Sequence, residues 1–360
     1  MYPIQSQHTG GELLSKGIYG CVFTPPLKCK NNTSSENPKG DATLTKILSK
    51  NEAILETGVS RRILQIPLWK NYFIVAESVC KTPAPRAEQT EKELEKCTIL
   101  KGKRLDGFSL LSMRFGGVPL SVYKYELQTF SLFNFITHLL EAGSLLTING
   151  IVHRDLHENN IVVDRNGVPR IIDFNISIDT SHRIRASDIR HEVNLNIFQE
   201  SPDSVIVNAI AGGDSNIEHI IHGILQSAIF VVIEALFNIT KDTMREQLYD
   251  YYNLSKYTQS GDDVKWLSVY WPKQDSWSLG IILLRIISKL SLWPEFTKST
   301  HYKEYKTIIL KIIGGMCQVN PRMRLTTIEA LSMFNPKSDI LKMKGVAQWL
   351  TESAIYKINN

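Results

Sequence analysis

His153-Arg154-Asp155-Leu156-His157-Glu158-Asn159-Asn160, running straight into Ile161-Val162-Val163 and followed shortly by Ile171-Ile172-Asp173-Phe174-Asn175, decides how the rest of this chain is read. Two β-favouring runs flank Asn166-Gly167, a pair suited to a tight hairpin, so the segment reads as loop, strand, turn, strand. The loop carries a carboxylate at Asp155 and an amide at Asn160, and a second carboxylate, Asp173, follows the second strand. Such groups can orient a hydroxyl and hold a hard cation, because both tasks need oxygen atoms in fixed positions. The plainer alternative is a surface loop with acidic residues and a buried Asp-Phe turn.

The segment fits H-R-D-L-x-x-x-N letter for letter, with Asp-Phe at the spacing a short hairpin produces, and so resembles the catalytic loop and metal-binding segment of the protein kinases. The resemblance implies an α+β, two-lobed fold, with a small β-rich N-lobe over 1–115 and a larger, mainly helical C-lobe over 116–360. It implies ATP and Mg2+ as cofactors and a protein as substrate. Asp155 would orient and deprotonate the incoming hydroxyl, with Arg154 beside it in the catalytic set, while Asn160 and Asp173 would hold the metal. That division suits phosphoryl transfer, in which the charge on the transferred group must be neutralised in place.

Towards the N-terminus, Leu14-Ser15-Lys16-Gly17-Ile18-Tyr19-Gly20-Cys21-Val22 resembles the glycine-rich loop over ATP phosphates, with Ser15, Gly17, Gly20 and Val22 at its motif positions and Ser15 in place of the first glycine. Glycine serves there because a side chain would keep backbone amides from the phosphate oxygens. Two glycines around an aromatic also occur in ordinary hairpin turns. Ala42-Thr43-Leu44-Thr45-Lys46-Ile47 reads as the strand whose Lys46 would grip the α- and β-phosphates; Lys28 and Lys30, in turn-like sequence near prolines, are rivals. In the next helix Glu56 has Val59 and Ile63 behind it at helical spacing, so it faces inward and would orient the lysine, with Glu52 one turn earlier as the alternative. Met113-Arg114-Phe115-Gly116-Gly117 resembles the hinge, where backbone groups around Met113 and Phe115 would pair with adenine; plain connection is the alternative.

Two later segments carry the same resemblance. Asp275-Ser276-Trp277-Ser278-Leu279-Gly280, opening an apolar helix, is similar to D-x-W-S-x-G, in which the aspartate accepts hydrogen bonds from catalytic-loop amides. Asn320-Pro321-Arg322-Met323-Arg324-Leu325-Thr326 is similar to D-P-x-x-R-L-T, whose arginine pairs with an acid closing the activation segment. Ser201-Pro202-Asp203 is the candidate for that acid, with Tyr270-Trp271-Pro272 as rival, and the first choice leaves a long insertion at about 204–273.

Three departures qualify the resemblance. Asn175 stands where D-F-G has glycine, His157 stands where serine/threonine kinases carry a phosphate-stabilising lysine, and no A-P-E occurs. A neutral histidine can still donate one hydrogen bond. The loose anchoring is similar in style to the divergent kinases of large DNA viruses, which implies a host-cell cytoplasm or virion setting. The catalytic loop lacks the arginine-rich pattern of tyrosine kinases, which leans the substrate hydroxyl towards serine or threonine. A small-molecule phosphotransferase and a partner-binding pseudokinase are the alternatives.

Bulk properties agree with a folded globular protein more than with a nucleic-acid-binding arm. Of 360 residues, 43% are hydrophobic and 21% charged, enough to build one large or two modest cores. The net charge of +5 is spread over mixed-sign segments, so no nucleic-acid partner is implied. The first ten residues are polar and do not read as a signal peptide. Cys21, Cys29, Cys80, Cys97 and Cys317 form an odd, scattered set without C-x-x-C, which suggests neither disulfides nor zinc and fits a reducing compartment. Ile217 to Ile239 is apolar, but Glu218, His219, His222, Gln226 and Glu234 make it a buried helix instead of a membrane span.

Strands are expected at Leu13 to Thr24, Ala42 to Leu48, Tyr72 to Glu77 and Ser109 to Phe115. Insertions over about 25–41 and 81–104 read as surface decoration, the second with a solvated helix at Glu88 to Cys97. Helices are expected at Phe130 to Leu146, Ser278 to Leu290, Tyr305 to Cys317 and Asp339 to Ile355.

Overall fold

The computed structural model describes residues 11–30, 43–185, 189 and 200–359, with side chains of the last helix only to residue 352. The polar N-terminus, the middle of the first insertion, Ala42 and Ser187 therefore lie outside the described residues. Two compact units divide the chain: Met1–Gly117 with Ile172–Asn175, and Val118–Ile171 with Ile176–Asn360. The short segment bearing Asp173 thus groups with the first unit. The whole is mixed α+β, with its larger antiparallel sheet in the first unit and most of its helices in the second.

The first unit is built on five antiparallel strands, β1 (Glu12–Lys16), β2 (Gly20–Thr24), β3 (Thr43–Ser49), β4 (Ser78–Cys80) and β5 (Phe108–Arg114), in the order β1-β2-β3-β5-β4. β3 lies at the centre, buried on both faces, which suits its run of β-branched and aliphatic residues. Gly20 is demanded by packing: a Cβ there would meet the Ile47 carbonyl oxygen at 2.7 Å and the Leu48 side chain. Helix α1 (Lys50–Ile63) starts where the Ser49 hydroxyl accepts from the Glu52 amide, ends on Arg61 and Arg62, and buries Ala53, Glu56, Val59 and Ile63 as one stripe. Short helices α2 (Trp69–Tyr72) and α3 (Glu91–Leu94) complete the unit.

Three expectations for this unit are corrected. The strand placed at Tyr72 to Glu77 forms later, at Ser78–Cys80; Trp69–Tyr72 is helical, and Phe73 to Ala76 are all buried with no alternation for a half-exposed strand to use. The solvated helix at Glu88 to Cys97 shrinks to the four residues of α3, and the stretch is not decoration. Leu94, Cys97 and Leu100 are fully buried in a cluster with Cys21, Phe23, Leu27 and Ile47. Four cysteines, expected to be free, form the disulfides Cys21–Cys97 and Cys29–Cys80 across 76 and 51 residues of sequence, leaving Cys317 as a buried free thiol. Separations that long carry no local signature, because docking of the 81–104 stretch on β2 is what brings the partners together.

The second unit holds two small sheets. One is β6 (Val118–Pro119), β8 (Ile161–Val163) and β9 (Pro169–Ile171); the other pairs β7 (Ile151–Val152) with β10 (Ile178–Asp179). The β8–β9 hairpin turns at Gly167 with φ of +77°, while the Asp164 carboxylate accepts from the Asn166 and Val168 amides. Hydrogen bonds from those amides and from Arg170 outweigh the burial of Asp164 and hold its carboxyl below the ordinary aspartate value.

Around the sheets stand α4 (Leu132–Ile148), α5 (Pro202–Ala211), α6 (Ile217–Leu225), α7 (Ala228–Phe237), α8 (Lys241–Leu254), α9 (Lys256–Gln259), α10 (Asp263–Leu290), α11 (Pro294–Lys298), α12 (Thr300–Met316), α13 (Thr327–Phe334) and α14 (Val346–Asn359). α4 runs close to α10 and α13: a Cβ on Gly143 would meet Leu279 at 2.7 Å and Thr327 at 2.8 Å.

The apolar stretch at Ile217 to Ile239 is two helices bent by 70° at Gln226-Ser227, with one face buried, instead of a single buried helix. Among the described residues no single helix is long and apolar enough to cross a membrane. α10 begins at Asp263, capped by Asp262, and runs through Pro272, so Asp275 lies mid-helix instead of opening it. The C-terminal helix expected from Asp339 is broken into a 3-10 turn and α14, with Gly345 at φ of +92° between them.

Candidate active site

In the first unit Lys46 sits mid-strand, opposite Val22 on β2 and Leu111 on β5. Its ammonium donates to Glu56 Oε2 at 2.8 Å and to Asp173 Oδ1 at 2.7 Å. Lys46 and Glu56 are 6% and 3% exposed, too little for water to substitute for their mutual contact. Burial works against the charge on Lys46, but the Asp173 and Glu56 carboxylates outweigh it and hold its pKa above the ordinary lysine value. Burial raises the Glu56 pKa, and Lys46 opposes that shift.

Asp173 holds a left-handed backbone at φ of +66°, a costly state for a residue with a side chain. The next residue, Phe174, is buried edge-on against Phe73, their ring centres 6.0 Å apart, which pins the segment. Asn175 is 7% exposed, and its Oδ1 has no hydrogen-bond partner.

Of the rivals to Lys46, Lys28 and Lys30 are exposed, and Glu52 is less buried than Glu56. Ser15 and Val22 face each other across the β1–β2 ladder, and the Gly17 amide donates to the Gly20 carbonyl at 2.8 Å, closing the turn between them. Met113 lies on β5 opposite Leu44, one residue before the strand ends, while Phe115 just beyond the strand is 45% exposed.

In the second unit the loop after β7 is organised around Asp155. Asn160 Nδ2 donates to both the carbonyl and the Oδ2 of Asp155 at 2.9 Å, so the amide oxygen is the remaining acceptor of that side chain. His157 Nδ1 accepts from the Asn159 amide at 3.2 Å, which places the proton of a neutral ring on Nε2, 3.6 Å from Asp155 Oδ1. His153 Nδ1 accepts from the Asp155 amide at 3.2 Å. That supporting role was absent from the sequence reading, although the first letter of H-R-D was its signal.

Beneath the loop, buried Asp275 accepts from the His153 amide at 2.7 Å and the Arg154 amide at 3.0 Å, and Arg154 is left-handed at φ of +67°. Burial raises the Asp275 pKa, against the pull of His153 and Arg154. Farther along, Arg324 and Asp203 meet at 2.7 Å with both side chains fully buried. Arg324 also donates to the carbonyls of Gln318, Lys273 and Val319. Tyr270-Trp271-Pro272, the rival to Asp203, lies inside α10.

Oxygen donors suit magnesium, which takes one or two protein oxygens and completes its shell with phosphates and water. Among the described residues no cluster of three histidine, cysteine or acidic side chains could hold an ion by itself.

No family model matches the chain. A Dictyostelium discoideum protein provisionally named a cyclin-dependent serine/threonine-protein kinase is 30% identical over 79 residues, which make up 22% of this chain and 11% of that protein. The similarity is kinase-like and partial.

Proposed function

We propose that this chain is an ATP- and magnesium-dependent protein kinase that phosphorylates serine or threonine. The observation that carries the reading is the Lys46 ammonium shared between Glu56, ten residues on, and Asp173, 127 residues on: a strand lysine, an acid on a buried helix face and the aspartate of the Asp-Phe pair. A kinase needs that cation held ready for the α- and β-phosphates, and an aspartate beside it for the metal. The partial similarity to a protein provisionally named as a serine/threonine kinase supports the same reading.

In it, the Ser15 to Val22 hairpin covers the phosphates and the backbone around Met113 and Phe115 receives adenine. Asn160 and Asp173 would hold magnesium, whose charge would offset that of the phosphates. Asp155 accepts the proton of the substrate hydroxyl, and His157 donates from Nε2 to the transferred group in place of the usual lysine. The Asn160 bonds to Asp155 keep the carboxylate oriented towards that task.

Transfer from γ-labelled ATP to a generic basic protein tests the reading. Labelling by the wild type that disappears in Asp155→Ala and Lys46→Ala supports it. No labelling by the wild type, or equal labelling by the variants, contradicts it.

A further inference from the structure

The hairpin that carries the candidate phosphate loop is gripped on both strands by the stretch at 81–104. On β1, the Leu13 amide donates to Glu93 Oε2 at 3.1 Å. On β2, Cys21, next in sequence to Gly20, is joined to Cys97. β1 is an edge strand and among the described residues pairs only with β2, so this docking supplies the hairpin's second anchor besides β3.

Past the end of β2 the chain is fastened both to Cys80, the last residue of β4, and to the 81–104 stretch that follows it. Cys29 is bonded to Cys80, the Lys28 amide donates to Gln89 Oε1 at 3.1 Å, and the Gln89 amide group donates back to the Lys28 carbonyl at 2.7 Å. The bridges differ in access. Cys21 and Cys97 have no exposed surface, whereas Cys29 and Cys80 are partly exposed.

We propose that the two disulfides form a thiol-operated clamp on the phosphate loop, so that nucleotide affinity is high with the bridges closed and falls when they open. The inference rests on the kinase reading for what the loop binds. A dithiol is the co-reactant. Its thiolate attacks one bridge sulfur and expels the partner cysteine thiolate, giving a mixed disulfide; its second thiol then closes the reagent into a cyclic disulfide and releases the first cysteine. The bridge gains two electrons and two protons, and the dithiol is oxidised. Access sets the order, so Cys29–Cys80 opens first and Cys21–Cys97 only on local opening of the cluster around it. With both open, the hairpin keeps the β3 ladder and the Glu93 contact but loses its covalent tie.

The test combines thiol counting and nucleotide binding on the full chain. Denaturing alkylation with intact-mass detection should find only Cys317 reactive in air-oxidised protein, with Cys29 and Cys80 added on brief dithiothreitol treatment and all five cysteines on prolonged treatment. Calorimetric titration with Mg-ATP should show Kd rising by about fivefold or more between the fully closed and fully open forms. Cys21→Ala/Cys97→Ala should reproduce most of that rise without dithiol, and the wild-type titration decides the matter if that variant fails to fold. Five reactive cysteines in the oxidised protein overturn the proposal. So does an unchanged Kd in both redox states while Lys46→Ala weakens binding in each, which leaves the kinase reading intact. Absence of Mg-ATP binding by the oxidised chain contradicts the kinase reading and the inference with it.

Discussion

Lys46 and Asp173, 127 residues apart in sequence, are joined at 2.7 Å within one unit, and Glu56 takes the other side of the same ammonium. Removing the lysine takes away the cation shared by the buried Glu56 carboxylate and the part-exposed Asp173 carboxylate, and Glu56 is left as a buried charge without its partner. Lys46→Met should therefore lower phosphotransfer by about 100-fold or more. Glu56→Gln should cost less, because Asp173 still holds the ammonium. Steady-state rates for the two variants check the ranking, and equal losses would contradict it.

Asn160 donates two hydrogen bonds to Asp155, which leaves its amide oxygen as the remaining acceptor, the atom that the proposed function assigns to magnesium. Asn160→Ala should raise the magnesium concentration needed for half-maximal activity by about tenfold or more. Asp155→Asn should lower the rate without that change. Magnesium titrations at saturating ATP separate the two effects, and chelation should silence the wild type in both readouts.

Asp275 satisfies the His153 and Arg154 amides from inside α10. Asp275→Ala strands two donors and should destabilise the second unit by about 2–6 kcal/mol, at roughly 1–3 per unsatisfied buried group. A pH signature follows as well. The folded-state pKa of Asp275 is raised by burial, so the folded state holds its proton more tightly than the unfolded chain. Its contribution to stability therefore falls as pH rises from the ordinary aspartate value through the raised one. Asp275→Asn does not ionise there, so the difference in stability between wild type and variant should shift in the variant's favour as pH rises across that window. Denaturant melts at a series of pH values measure it, and a pH-independent difference would contradict the assignment.

Arg324 spends its guanidinium on Asp203 and three carbonyls, with Trp277 5.1 Å below. Arg324→Ala should cost about 3–5 kcal/mol, since it leaves the Asp203 charge buried and unpaired. Asp203→Asn should cost less, because the arginine keeps its three carbonyls. Urea unfolding of both variants checks the order.

The readable parts of this chain were those in which a local string dictates local chemistry. Lys46 stood out as a charge inside an apolar strand, Glu56 as an acid on the buried stripe of α1, and Asp203 as the acid at Ser-Pro-Asp; each occupies a buried position. What escaped was set by distant docking. The 81–104 stretch reads as polar because its charged residues outnumber Leu94, Cys97 and Leu100, yet those three face the core and bring Cys97 to Cys21. Asp275 reads as the opening of its helix, but the Asp262 cap upstream sets the start of α10. The glycine at position 20 was read as making room for phosphate, whereas the close approach of β3 already requires it.

The central claim is that Lys46, Asn160 and Asp173 serve one nucleotide. A crystal structure with magnesium and a non-hydrolysable ATP analogue tests it most directly. The kinase reading predicts the Lys46 ammonium on the α- and β-phosphates and a metal bound to both Asn160 and Asp173. A nucleotide bound elsewhere, or a metal touching neither residue, would contradict it.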